Sequence, residues 1–153
     1  MNKIETLRSR GRLSIVITDQ YGQTKEKREV DNLVVNAGLA YIISRMVGVA
    51  KTVMSHMAVG SGTATAAAAN TDLGNLLGSR KALTSTTISG TNNESVVYVG
   101  TFNPGEGTGA VTEAGIFNAA SSGDMLCRTV FAVVNKAATD TMVITWTITL
   151  SAV

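Results

Sequence analysis

The sequence predicts a mainly β protein: an antiparallel β-sandwich of about seven to nine strands with one principal α-helix near 37–47. Three observations predict it. Thr, Val, Ala and Gly dominate while Pro occurs once, a balance that favours strands and tight turns over long helices. Period-2 alternation recurs along the chain and is longest at 141–150, where Ile144, Trp146, Ile148 and Leu150 share one face and Thr145, Thr147 and Thr149 the other. Gly-, Asn- and Asp-rich turn signals separate the alternating segments. At 153 residues and 44% hydrophobic content, the chain is sized for one domain with a core of its own.

Residues 1–11 read as an extended N-terminal arm and 12–153 as a single sandwich domain. The arm holds Lys3, Arg8 and Arg10 but only Ile4, Leu7 and Met1 as sizeable apolar groups, so burial alone does not anchor it. Residues 12–18 alternate Leu13, Ile15 and Ile17 against polar or smaller residues, the pattern of a half-buried strand. DQYG at 19–22 is a turn, and the charged stretch 23–31 reads as a solvated strand at a sheet edge. Asn36 is a candidate helix cap, and Leu39, Ile42, Ile43, Met46 and Val47 follow at helical spacing up to Gly48. The stripe predicts a helix that packs against the sheets.

HMAVGSG at 56–62 is a short strand running into a glycine-rich turn, and 63–83 is irregular. Strands follow at about 80–88, 95–102, 110–117, 125–134 and 141–150. The expected core comprises Ile15, Ile17, Leu39, Ile43, Val97, Phe117, Phe131, Trp146 and Ile148.

Composition excludes several function classes. One cysteine, Cys127, cannot close an internal disulfide, and one histidine, His56, cannot build a His-rich metal site. No apolar run approaches the ~20 residues of a membrane-spanning helix. A net charge of +2 does not argue for nucleic acid. No apolar stretch precedes Leu13, so no signal peptide is expected.

No catalytic constellation emerges. GSGT at 60–63 lacks the spacing of a dinucleotide loop and reads as a tight turn. Glu106 and Glu113 are the one carboxylate pair worth testing for glycoside chemistry, and both read as surface groups. Ser61 lies between two glycines but outside a nucleophile elbow, and His56 reads as partly buried and structural. Cys127 sits inside an apolar strand as a small buried hydrophobe. Trp146 reads as a core anchor. Asn93-Glu94-Ser95 matches a glycosylation sequon, which has no meaning without export. No catalytic, cofactor-binding or metal-binding residue is therefore assigned, and no enzyme activity, cofactor or metal is expected.

Read in order, NLVVNAGLAYI (32–42), HMAVGSGT (56–63), the Arg80-Lys81 pair, EAGIFNA (113–119), MLCRTVF (125–131) and VITWTITL (143–150) resemble a family of small virion structural proteins of tailed bacteriophages. That family spans capsid cement or decoration proteins and tail-fibre-like proteins. The resemblance implies a non-enzymatic homo-oligomer on the virion, made in the bacterial host cytoplasm. It implies the major capsid protein or other virion proteins as partners, and neither a membrane nor direct nucleic acid. The absence of heptads and repeats for a shaft favours cement on the capsid surface over a fibre. A tail, baseplate or fibre-attachment component is the alternative, and a small carbohydrate-binding module or hydrolase the second alternative. Aromatic residues at 5% argue against the latter, because sugar platforms need exposed rings.

Overall fold

The computed structural model describes residues 5–153. Nine strands and one helix follow in the order β1 (Leu7–Thr18), β2 (Thr24–Val34), α1 (Asn36–Met46), β3 (His56–Gly60), β4 (Lys81–Ala82), β5 (Ser85–Ser89), β6 (Ser95–Phe102), β7 (Gly109–Phe117), β8 (Met125–Lys136) and β9 (Thr141–Ala152). Among the described residues the fold is mainly β, with antiparallel strands and a single helix. The strands form one continuous sheet in the order β4-β3-β7-β8-β2-β1-β9-β6-β5.

The sheet curls so that its two halves face each other across the core, and β2 is the element that turns the corner. Its residues Thr24–Asn32 pair with β1, whereas Leu33 and Val34 pair with Arg128 and Cys127 of β8. One half is therefore β2-β1-β9-β6-β5 and the other β4-β3-β7-β8-β2, a corner made by a strand that serves both sheets. The expected edge position of 23–31 is met within its own half, where Thr24–Asn32 pairs with β1 alone; through Leu33 and Val34 the strand continues into the other half, and β4 and β5 end the whole sheet. The charges of this stretch have a local reason. Thr24–Asn32 pairs on one side only, and on the other Arg28 donates to the Ala132 carbonyl and Thr129 Oγ1 to the Asp31 carbonyl in place of a ladder.

The inner faces make one apolar core. Leu13, Ile15 and Ile17 of β1 meet Met142, Ile144, Trp146 and Ile148 of β9 in register, Leu13 opposite Trp146. Met57 of β3 crosses from the other half and reaches β6, where a Cβ at Gly100 would stand 2.6 Å from its sulfur. Each fully buried aliphatic or aromatic side chain of this set contributes about 1.5–3 kcal/mol. Trp146 also donates Nε1–H to Asn32 Oδ1 at 2.8 Å, so its one polar group is paired as burial requires.

Six of the nine expected core positions are buried: Ile15, Ile17, Phe117, Phe131, Trp146 and Ile148. Three are corrected. Val97 lies half-buried on the outer face, because the register sets Tyr98 opposite Trp146 and so turns Tyr98 and Phe102 inward. Leu39 and Ile43 are exposed. The helix buries Gly38, Tyr41 and Ser44 instead of its aliphatic stripe. Contact at Gly38 is close enough that a Cβ there would overlap the Leu126 carbonyl oxygen, so no side chain fits at that point of the face. The expected Asn36 cap is also corrected: Val35 precedes the first turn and makes no side-chain cap.

The boundary drawn at 11/12 falls inside β1. Leu7–Gly11 pair with Ile148–Ala152 of β9, and Gly11 is buried beside Asn32. Main-chain pairing along a long C-terminal strand anchors the segment that side-chain burial could not. Residues 1–4 of the expected arm lie outside the described residues.

Candidate functional site

The two halves differ on their outer faces. On the β1-β9-β6 side the outer face is open, with Thr145, Thr147 and Thr149 half-buried beside Arg10, Arg12 and Glu29 around a shallow groove of about 500 Å³. Ser95 and Thr149 share a hydroxyl hydrogen bond of 2.7 Å across the strands. Arg12 pairs with Glu29 at its edge. On the β3-β7-β8 side the outer face is covered by residues 61–80, which have little regular structure.

A single carboxylate fastens that cover. Glu113 projects from the middle of β7 and is fully buried. Its Oε1 accepts the backbone N–H groups of Gly62 and Asn75, each at 2.8 Å. Its Oε2 accepts Gly74 N–H at 2.9 Å and the Nε and Nη2 of Arg128 at 3.0 and 2.8 Å. Arg128, on the neighbouring β8, then reaches Asn70 Oδ1 through Nη1 at 2.8 Å and the Ala64 carbonyl through Nη2 at 3.1 Å. One buried ion pair thus ties five residues between Gly62 and Asn75 of this irregular 20-residue segment to the sheet. A segment of that length without secondary structure needs such partners for its backbone groups.

The glycines of GSGT follow from this geometry. A Cβ on Gly62 would lie 2.9 Å or less from both Glu113 carboxylate oxygens. The glycine-rich turn does receive an anion, and that anion is the chain's own carboxylate. Burial pushes the Glu113 carboxyl up, but hydrogen bonds from Gly74, Asn75, Arg128 and Gly62 outweigh it and hold the group below its ordinary value. Every lone pair within reach is occupied, so Glu113 is a structural anion and not a poised acid or base.

The expectation that Glu113 is a surface carboxylate is corrected, and Glu113 and Glu106 do not form a pair. Glu106 sits in the β6–β7 loop, accepting Lys81 Nζ at 2.5 Å and the Asn103 N–H at 2.9 Å. The side-chain hydrogen bond from Lys81 is the main reason its carboxyl lies below the ordinary value. His56 Nδ1 bonds Ser55 Oγ at 2.8 Å, while Ser61 Oγ accepts Asn75 Nδ2 at 2.6 Å, so the two make no nucleophile–base pair. Cys127 is fully buried, and burial pushes its thiol well up, away from thiolate.

Arg80, noted in the sequence only as half of a pair, is a second fastener. Its guanidinium lies 3.5 Å from the Phe117 ring centroid and donates to the carbonyls of Ala119 (3.0 Å) and Ser122 (2.6 Å). It closes the 118–124 turn over the outer apolar cluster of Val35, Ala58, Phe117 and Met125.

Among the described residues no three His, Cys, Asp or Glu side chains gather as metal ligands, and no helix is long and apolar enough to cross a membrane. Comparison with family models, curated proteins and solved structures yields no match to this chain.

Proposed function

We propose that this chain is a non-catalytic assembly protein of a tailed-phage virion, a cement or decoration protein that stabilises the shell by binding the major capsid protein as a homo-oligomer. One observation carries the assembly reading: the buried ionic groups are used to close the fold, while a large apolar helix face is left outside it. Glu113, Arg128 and Arg80 each hold backbone in place. Leu39, Ile43, Met46 and Val47 lie on the surface. That combination suits a protein whose work is burial of surface against neighbours, and many copies then hold a shell by avidity. The virion itself enters through the sequence resemblance alone.

Electron microscopy of the intact particle tests the proposal. Density for this chain at lattice symmetry points of the shell supports cement. Density at the tail supports the baseplate or fibre-attachment reading. Absence of the chain from purified particles overturns both.

A further inference from the structure

We infer that the outward face of α1 is the contact between two copies of this chain, arranged about a two-fold axis that passes near Ile43. Leu39, Ile43, Met46 and Val47 recur at the i, i+4, i+7 and i+8 positions of one helix face, and they are 45, 58, 76 and 72% exposed. At about 100° per residue, Ile42 lies between this ridge and the buried face. Ile42 also lines an apolar groove of about 230 Å³ between α1 and the open end of the sandwich, with Ile88, Val96 and Leu150 on the opposite wall. Ridge and groove therefore lie side by side, with Ile42 between them.

A second copy is the occupant this surface fits. Two-fold symmetry presents the same patch twice, so a ridge beside a groove is complementary to itself: each ridge enters the other copy's groove. The ridge carries no charge, so no charged group of one copy's ridge meets Glu94, the one charged residue lining the groove, whose carboxylate accepts the Asn92 N–H at 2.8 Å. The one charged side chain of α1, Arg45, is turned back to the Lys51 carbonyl at 2.9 Å. That also argues against a bilayer surface, which such helices meet with several cations on the polar face. With Val49 and Ile88 the exposed side chains offer at most about 600 Å² per copy, so a pair of copies can hide up to about 1,200 Å² of them, which reaches the low end of a standard interface.

This inference extends the assembly reading by naming where copies meet, and it is tested without any particle, so either can fail alone. The experiment is sedimentation velocity on the full chain, on Ile43→Asp and on Met46→Asp, with Ile43→Cys under oxidising conditions. The expected result is a wild-type dimer that each aspartate variant weakens at least about tenfold, with the melting temperature of the dissociated chain retained. Ile43→Cys is expected to give a disulfide-linked dimer, Cys127 being buried and unable to compete. A wild-type monomer up to about 100 μM, far above the Kd of a working interface, overturns the inference. So does a trimer, or a dimer that both aspartate variants leave intact. Wild-type binding to anionic vesicles as a monomer, lost in Met46→Asp, overturns it in favour of a membrane.

Discussion

Strand β9 and helix α1 carry apolar stripes of equal regularity and meet opposite ends. The Ile144, Trp146 and Ile148 stripe of β9 is buried, whereas the Leu39, Ile43 and Met46 stripe of α1 faces out. The difference lies in how each is attached. β9 is held on both sides by ladders to β1 and β6, so its inner face has nowhere to go but the core. The helix is attached along its Gly38, Tyr41 and Ser44 face, where Gly38 approaches the β8 backbone. An element seated through Gly38, Tyr41 and Ser44 leaves the aliphatic residues of its other face free for another partner.

Five substitutions sharpen that comparison. Arg128→Ala leaves Glu113 as a buried, unpaired charge and is expected to cost about 3–5 kcal/mol in urea unfolding. A pH series accompanies it. Because the folded Glu113 carboxyl lies below its ordinary value, its stabilisation is present in full above the usual carboxylate range and is lost as pH falls from there through the lower folded value. The stability advantage of wild type over Glu113→Gln is therefore expected to shrink on acidification. An advantage that grows as pH falls contradicts the geometry.

Trp146→Ala removes the largest fully buried side chain and is expected to cost about 3–5 kcal/mol. A cost below about 1 kcal/mol is incompatible with a core position. Gly38→Ala pushes a methyl into the Leu126 carbonyl, and backbone yields poorly. An expected loss of about 1–3 kcal/mol checks that the helix is seated as described. Ile43→Ala, measured at low protein concentration where copies are apart, is expected to change stability by less than about 0.5 kcal/mol. A loss of about 2 kcal/mol or more there restores the buried-stripe expectation.

Deletion of the N-terminal segment also separates two accounts. As a free arm, residues 1–11 are dispensable to the fold. The pairing of Leu7–Gly11 with β9 makes their removal destabilising, because it strips a ladder and uncovers the end of β9. A drop in melting temperature with deletion of 1–11 follows from the ladder, and an unchanged value from the arm.

Part of the candidate site was legible in retrospect. Glu113 and Arg128 each interrupt an otherwise apolar or small-residue strand, in AVTEAGIF and MLCRTVF. Charges of opposite sign inside two neighbouring buried strands are the mark of an ion pair. Nothing in the spacing showed that β7 and β8 pair so that the two meet, or that residues 61–75 fold over them. Glu113 and Arg128 are 15 apart, but their contacts with the cover join positions about 40–65 apart in the chain, and only tertiary packing brings those together.

What the sequence determined by itself is what depends on neighbours along the chain. Alternation set the strands, since successive side chains of a strand point to opposite faces. Glycine and asparagine set turns such as Gly90 and Asn93, both at positive φ. Helical spacing placed α1 to within a residue at each end. The tertiary structure decided which face of α1 is buried, that Tyr98 and not Val97 points inward, and that Glu113 is an internal anchor. Periodicity divides an element into two faces without saying which one meets the core. That choice depends on how closely the backbones approach and on what already fills the space between them.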